Sequence, residues 1–175
     1  MERFEDTYLG QLRAEVGSRL LLVPGARVII EDPDGRILLQ RRSDFGLWGL
    51  PGGNAEPGED ITASIVREVH EETGLTITDP RPFGYGSEPG RETVTFPNGD
   101  ACQFFALSFF TCTYSGTLQA LDDESLALEW FEKDALPQML PNMAASVRAF
   151  EHFQTTGVFQ MFCGSAPCGA LFGGT

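Results

Sequence analysis

The sequence predicts an α+β or mixed α/β fold, with helices packed over a curved mixed β-sheet. Strand-like apolar runs dominate residues 26–131, and only two or three helical patterns interrupt them. The chain has 175 residues, of which 42% are hydrophobic, enough for one sizeable core but cramped for two full domains. We therefore expect an N-terminal helix and lead-in over residues 1–24, one domain over 25–157, and a glycine-rich tail over 158–175.

A short amphipathic helix should open the chain, because apolar residues recur at helical spacing before a glycine that can end a helix. These residues are Leu9, Leu12 and Val16, followed by Gly17. We expect the helix to pack on the domain or on a partner, where it could support a homodimer. Next, the β-rich runs 26–31 and 36–41 flank Asp-Pro-Asp-Gly at 32–35. Proline and glycine supply the backbone angles of a tight turn, so these runs predict a β-hairpin.

A loop rich in glycine then leads into the most regular helical pattern of the chain, residues 61–73. Ile61, Ile65 and Val69 recur every four residues as a core-facing stripe, and Gly74 can take the left-handed conformation that ends a helix. The remaining strands are predicted near residues 75–78, 92–96, 101–114, 116–120 and 126–131, with a turn at Pro-Asn-Gly-Asp, 97–100. A last helix over residues 141–154 should pack on the sheet.

The strong negative charge limits the partners of this protein. Its 25 acidic and 12 basic residues give a formal net charge of -13, which argues against holding DNA or RNA by neutralising phosphates. No apolar run reaches membrane-spanning length, and the N-terminus lacks the layout of a signal peptide. We expect a soluble cytoplasmic protein. Because the chain is acidic, an anionic substrate would need a site whose local charge departs from this balance, or bound metal ions.

The four cysteines do not require disulfides. Cys102 and Cys112 fall in apolar strand-like runs, where a small buried thiol is the more common explanation. Cys163 and Cys168 lie in the glycine-rich tail, where neither a second Cys-x-x-Cys nor a histidine pair supports a zinc site. We expect free thiols in a loose tail.

The C-terminal half of the 61–73 helix concentrates acidic residues where they are unfavourable. The helix dipole already places partial negative charge there, and like charges three and four positions apart repel. On a helical wheel, Glu68, Glu71 and Glu72 form one patch beside the stripe of Ile65 and Val69, at the edge of the core. Such carboxylates suit Mg²⁺ or Mn²⁺, which would remove the repulsion. The alternative is a solvated acidic face.

The residues around this patch favour a metal site. Gly52 and Gly53 would let the backbone approach a ligand closely, and Glu59 stands just before the helix. Arg67 could pair with Glu71 four positions later or reach back to Glu59, and so hold a carboxylate in orientation.

The segment GNAEPGEDITASIVREVHEETGL, residues 53–75, resembles the complete Nudix box. The family pattern is G-x5-E-x7-R-E-U-x-E-E-x-G-U, where U is aliphatic. Every defined position is filled, by Gly53, Glu59, Arg67, Glu68, Val69, Glu71, Glu72, Gly74 and Leu75. The segments ILLQRRSDFGLWGLPGG, PNGD and DDESLALEWFEKDALP also look like bacterial Nudix hydrolases, so the resemblance covers roughly residues 26–141.

This resemblance implies an α/β/α sandwich with a mixed, partly barrel-like sheet, and cleavage of a nucleoside diphosphate linked to another moiety. The implied metal ligands are the carboxylates of Glu68, Glu71 and Glu72 and the carbonyl oxygen of Gly52. Glu59 and Arg67 would orient these ligands. Glu68 is the first choice for the general base. Glu124 is the second, because its position resembles a distal metal ligand or base in relatives, although it could be a surface loop acid.

Residues outside the box could contact the substrate. Arg41 and Arg42 end a strand, and only one of them should face the cleft and contact phosphate, because strand neighbours point to opposite faces. Phe45 and Phe104 could stack on a base, although core packing is the alternative for both. Trp48 is better explained as a core anchor of the loop.

We therefore expect a Mg²⁺-dependent Nudix pyrophosphohydrolase, in which water attacks phosphorus in a small nucleotide. Nucleoside triphosphates, including damaged ones, rank equally with ADP-ribose and similar nucleotide sugars, because the loops 81–91 and 95–100 that should select the substrate give little guidance. A non-catalytic nucleotide sensor is the alternative, although the complete set of box glutamates counts against it. The acidic balance counts against cleavage of capped RNA.

Overall fold

The elements below come from a computed structural model that describes residues 4–121 and 124–162. The α-helices are α1 (Tyr8–Val16), α2 (Ile61–Thr73), α3 (Pro89–Glu92) and α4 (Pro141–Thr156), and a short 3₁₀ turn (Phe4–Asp6) precedes α1. The strands are β1 (Leu21–Ile30), β2 (Ile37–Arg42), β3 (Trp48–Gly49), β4 (Gly52–Asn54), β5 (Leu75–Ile77), β6 (Arg81–Gly86), β7 (Thr93–Thr95), β8 (Ala101–Thr111), β9 (Tyr114–Gly116), β10 (Ser125–Phe131) and β11 (Gln160–Phe162). In the part of the chain described, no helix is long and apolar enough to span a bilayer.

A six-stranded mixed sheet forms the centre of the fold, with the order β11-β6-β8-β1-β4 and β7 also paired to β8. Its longest pairing is parallel and joins β1 to β8, from Leu21 opposite Cys102 to Ile30 opposite Thr111. A three-stranded sheet, β10-β2-β3, and the pair β5-β9 complete the strands. The predicted α+β class with a mixed sheet is confirmed, and the sheet is not closed into a barrel.

Two apolar clusters cover opposite faces of β1. Val28 and Ile30 pack with Ile65 and Val69 of α2, whereas Ile29 between them belongs to a cluster with Phe150 of α4. This alternation is the pattern that a strand buried on both faces requires. Each fully buried apolar side chain here stabilises the fold by about 1.5–3 kcal/mol. The sheet therefore lies between α2 and α4.

Helix α2 forms with the bounds that the sequence predicts, because signals at both ends agree. The Asp60 carboxylate caps its first turn and accepts hydrogen bonds from the Thr62 and Ala63 amides, at 2.9 and 3.0 Å. Gly74 ends it in the left-handed conformation, with φ at 72°. A Cβ atom there would lie 2.7 Å from the Thr117 carbonyl oxygen, so this C-terminus also needs glycine for space.

The predicted β-hairpin is wrong, although its turn forms. The Gly35 amide donates to the Asp32 carbonyl oxygen at 3.0 Å, and one isolated bridge pairs Glu31 with Ile37. Beyond it, β1 joins the six-stranded sheet and β2 joins the three-stranded one. Residues 25–30 of β1 and 37–40 of β2 are buried runs, which need cover on both faces and cannot remain a two-stranded ribbon.

Other sequence-based bounds also change. Strand β1 begins five residues before the predicted residue 26, and β6 occupies part of the loop expected over residues 81–91. The strand predicted over 116–120 is instead β9, which ends at Gly116. Strand β8 ends at Thr111 because its hydroxyl donates to the Thr78 carbonyl oxygen at 2.7 Å and accepts from the Thr113 amide at 3.0 Å.

The cysteine expectations have different outcomes. Cys102 is buried as a free thiol within β8. Cys112 follows the end of β8 and is exposed, so the prediction of burial is wrong for it. Cys163 and Cys168 lie outside the described residues.

Candidate metal and pyrophosphate site

The acidic half of α2 faces a cavity of about 470 Å³. Its lining includes the carboxylates predicted as metal ligands and the glycine pair of β4, namely Glu68, Glu71, Glu72, Gly52 and Gly53. The opposite parts of the cavity come from β1, β8, the loop after β2 and the start of α4. The cavity is thus large enough for a small nucleotide and carries its acidic groups on one side.

Glu72 is the most deeply placed of the three glutamates, at 3% exposed. Its Oε2 accepts a hydrogen bond from the Gly52 amide at 2.8 Å, and its Oε1 accepts one from Gln40 Nε2 at 3.1 Å. Burial, followed by repulsion from the Glu68 charge, holds the pKa of Glu72 well above its usual range. The Gly52 amide thus binds the Glu72 carboxylate directly. The role of the Gly52 carbonyl oxygen as a metal ligand stays a prediction.

Glu68 lies directly against the glycine pair. A Cβ atom at position 53 would overlap the Glu68 carboxylate, so Gly53 leaves the space in which this carboxylate sits. Burial raises the pKa of Glu68 to about 7, and Arg67 nearby limits the rise while the charges of Glu71 and Glu124 add to it. A carboxyl group with this pKa exchanges its proton near neutral pH.

Arg67 holds the acidic residues in place through several contacts. Its Nε and Nη2 form a two-point pair with Glu59 at 2.8 and 3.1 Å, and Nη2 also donates to the Asn54 carbonyl oxygen at 3.1 Å. Its Nη1 lies 3.0 Å from both Glu68 Oε1 and Glu71 Oε2. The pair with Arg67 lowers the pKa of Glu59 to about 2. Glu59 therefore fixes the guanidinium, which in turn orients the two neighbouring carboxylates.

The residues fit a divalent cation in chemical type. The side-chain donors are all hard carboxylate oxygens, and burial, which disfavours their charged forms, raises the pKa values of Glu68 and Glu72 despite the nearby Arg67 and Arg42. Within residues 4–121 and 124–162, no three acidic, histidine or cysteine side chains converge as a complete metal site. Glu68 and Glu71 each form an ion pair with the Arg67 guanidinium instead.

The residues predicted to contact phosphate separate as strand alternation requires. Arg42 lines the cavity, where its Nε and Nη2 donate to the Asp44 carboxylate at 3.0 and 2.8 Å. Arg41 is exposed and donates through Nε to the Gly46 carbonyl oxygen at 3.2 Å. Glu124, the second candidate base, is exposed and lines the same cavity as Glu68.

Aromatic side chains form another part of the cavity. Phe45 and Phe104 both line it, and the Phe45 ring packs against Phe96 with centroids 5.6 Å apart. Trp48 meets Phe131 edge to face at 4.8 Å and packs on the cluster around Ile29. The predicted base-stacking candidates thus lie at the cavity, and Trp48 packs against the core as a half-buried side chain.

Sequence reasoning missed a buried polar group on the cavity. Arg27 Nη2 and Glu92 Oε1 form an ion pair at 2.6 Å, with both side chains 2% exposed, and Asn142 Nδ2 donates to Glu92 Oε2 at 3.3 Å. The charged Arg27 inside an apolar strand run was an available signal, as was Gln40, which binds Glu72. Nothing local in the sequence points to Glu92 as the partner.

Comparison with known proteins decides the family. The model of the NUDIX domain matches residues 21–152, which is most of the chain. The protein belongs to the Nudix family. The residues of its box lie where the pattern implies, with the glutamates and glycines on one cavity and Glu59 behind Arg67.

Several Nudix relatives resemble the chain closely enough to compare. A Bacillus subtilis (strain 168) relative, whose name refers to 8-oxo-dGTP diphosphatase activity, is 31% identical over 73% of this chain and 79% of its own. An ADP-ribose pyrophosphatase from Methanocaldococcus jannaschii is 34% identical over 69% of each chain. The crystal structure of a MutT NUDIX hydrolase from Burkholderia pseudomallei matches with a TM-score of 0.62 at 27% identity, covering 74% of this chain and 98% of that one.

The family match and these relatives show that the protein is a Nudix hydrolase that acts on nucleotide-linked substrates. Nudix hydrolases generally use divalent metal ions, in keeping with the oxygen donors on α2. The relatives differ in the substrates their names give, so the family alone leaves the substrate of this chain open.

Proposed function

We propose that the protein is a Mg²⁺- or Mn²⁺-dependent pyrophosphohydrolase that cleaves a small nucleotide by attack of water at phosphorus. The substrate would be a nucleoside triphosphate, including an oxidised one, or ADP-ribose or a similar nucleotide sugar. The observation that carries the proposal is the placement of Glu68, Glu71 and Glu72 beside the Gly52-Gly53 pair on one nucleotide-sized cavity.

Each residue of the site would have a distinct task. The carboxylates of Glu68, Glu71 and Glu72 would hold the cation, together with the Gly52 carbonyl oxygen. A bound divalent cation offsets charge on the pyrophosphate and activates the attacking water. Glu59 and Arg67 would keep these ligands oriented.

Glu68 is the preferred general base. It lines the cavity directly against Gly53, and burial raises its pKa to about 7 when no cation is bound. Glu124 on the same cavity is the second choice. Arg42 rather than Arg41 would contact phosphate, because Arg42 lines the cavity, and Phe45 would contact the base. A cytoplasmic location and a homodimer through α1 stay predictions from the sequence.

The direct test is a substrate panel with product identification. The protein is incubated with Mg²⁺ or Mn²⁺ and nucleoside triphosphates, 8-oxo-dGTP, ADP-ribose, dinucleoside polyphosphates, NADH or coenzyme A. We expect cleavage within a diphosphate, releasing a nucleoside monophosphate. Glu72→Gln should lose this activity, whereas Glu151→Gln, an exposed glutamate of α4, should keep it.

The outcomes separate the alternatives. No cleavage with either ion, or a wild-type rate in Glu72→Gln, would overturn the proposal. Tight nucleotide binding without cleavage would favour a sensor. If Glu124→Gln lowers kcat more than Glu68→Gln does, Glu124 takes the place of Glu68 as the base.

A further inference from the structure

The N-terminal segment, residues 4–16, lies on the same cavity as the Nudix box although it precedes the matched domain, residues 21–152. Phe4 and Thr7 both belong to the cavity lining. We call residues 4–16 the N-terminal strap. Its contribution to the cavity is a property of this chain beyond the family model.

Hydrogen bonds hold the strap to the domain at two places. At the first, the Tyr8 amide lies 3.1 Å from both oxygens of Glu56, which belongs to the loop of the Nudix box and lines the cavity. At the second, Arg13 Nη2 donates to the Ala101 carbonyl oxygen at 2.6 Å and to Cys102 Sγ at 3.0 Å, at the start of β8. Arg13 is only 8% exposed. The strap therefore spans from the box loop to β8.

A hydrogen-bonded turn sets the backbone position of Phe4. Its carbonyl oxygen accepts hydrogen bonds from the Thr7 hydroxyl at 2.8 Å and the Thr7 amide at 3.2 Å. Buried Gly10 packs beneath, where a Cβ atom would overlap that carbonyl oxygen. The backbone at Phe4 is thus held by a cap and by close packing, in contrast to a fraying terminus.

Phe4 presents an aromatic face at the cavity. It is 51% exposed, and no described aromatic ring packs against it, whereas Phe45 and Phe96 on the same cavity pack on each other. An exposed apolar ring on a backbone that is held in place favours stacking with a heteroaromatic ring, because every nucleobase offers a π-face. The cavity also holds the acidic site, so a stacked base would stay connected to a diphosphate at α2.

We propose that Phe4 is a specificity-determining residue that stacks on the nucleobase of the substrate, so that the N-terminal strap adds a base-binding wall to the cavity in addition to the contact from Phe45. This inference rests on the proposed nucleotide hydrolysis. It adds a residue that lies outside the matched Nudix domain.

The test compares aromatic and non-aromatic variants at position 4 on the best substrate of the panel. We expect Phe4→Ala and Phe4→Leu to raise KM about five- to twentyfold with kcat within about twofold, and Phe4→Trp to keep a low KM. The Phe4→Leu variant keeps a large apolar side chain without an aromatic ring, so it distinguishes stacking on the base from filling of space in the cavity. Tyr8→Ala is the matched control, because Tyr8 is 47% exposed on the same strap and does not line the cavity.

A second variant moves Phe4 without changing it. Gly10→Ala should displace the Phe4 backbone and raise KM as Phe4→Ala does, although alanine is the better helix former. A wild-type KM in Phe4→Leu, or an equal rise in Tyr8→Ala, would overturn the inference while leaving the hydrolase intact. If the wild-type protein cleaves no nucleotide, the proposed function fails and the stacking wall fails with it.

Discussion

At the scale of single residues, the site depends on how charge is distributed among three glutamates. Glu59 is ionised at any ordinary pH because Arg67 pairs with it at two points. Glu68 and Glu72 are instead held with raised pKa values, since burial removes water from them. One arginine thus supports the structure through Glu59 and restrains the carboxylates of Glu68 and Glu71, which are predicted metal ligands.

Removing the Glu59 charge should weaken the fold in a pH-dependent way. Its pKa is about 2 in the folded protein against an ordinary 4.5, so its stabilisation is present above pH 4.5 and lost as pH falls towards 2. At pH 7, Glu59→Gln should lower the free energy of unfolding by about 1–3 kcal/mol. Urea unfolding with EDTA should show this loss at pH 7 and a smaller loss at pH 3. Glu151→Gln is the control, and an equal deficit at both pH values would contradict the prediction.

Glu72→Gln should separate stability from function. The amide keeps the size and an acceptor for the Gly52 amide, but it removes a buried charge that repels Glu68. We expect the metal-free variant to melt at or above the wild-type Tm, while kcat/KM falls about 10²- to 10³-fold. Calorimetry and steady-state kinetics measure the two effects. A clear drop in Tm would mean that the Glu72 charge supports the fold.

At the scale of elements, α2 shows what local sequence can establish. Its bounds, its acidic patch and the box residues could be predicted because stripe, cap and glycine all lie within one short segment. The sheet pairing of β1 and β2 could not be predicted, because their partners β8 and β10 lie far away in sequence. For the same reason, the sequence did not predict the Arg27–Glu92 ion pair, whose members are 65 positions apart, or the position of Phe4 on the cavity.

The glycine after α2 should matter more than the corresponding glycine after α4. Gly74 and Gly157 both have left-handed backbones, with φ at 72° and 68°. A Cβ atom meets the Thr117 carbonyl oxygen at position 74 and nothing within 4 Å at position 157. Gly157→Ala should therefore cost about 1 kcal/mol and Gly74→Ala about 2 kcal/mol or more. Urea unfolding of both variants measures the difference, and equal losses would show that Thr117 moves aside freely.

At the scale of the whole molecule, the net charge of -13 makes cations general stabilisers of the fold. Sodium chloride should act by screening, which needs no particular site. A divalent cation at α2 should act in addition by binding. The two effects are separable because only binding depends on Glu72.

Mg²⁺ should therefore raise Tm beyond the effect of NaCl at equal ionic strength. At about 100 times its dissociation constant, a bound ion adds about 2.7 kcal/mol, or roughly 5–10 °C for a chain of this size. Differential scanning fluorimetry of wild type and Glu72→Gln provides the comparison. The variant should keep the NaCl response and lose the Mg²⁺ increment, and an unchanged increment would place the bound ion elsewhere.

The parallel pairing of β1 with β8 has a consequence for how the molecule folds. It joins Leu21 to Cys102 and Ile30 to Thr111, across the whole segment that contains α2 and β4. Contacts between such distant residues form slowly, because loop closure must precede any gain from pairing. During synthesis, the central sheet cannot assemble until β8 has left the ribosome. The cavity that carries the candidate site is therefore a late product of folding, absent from any shorter nascent chain.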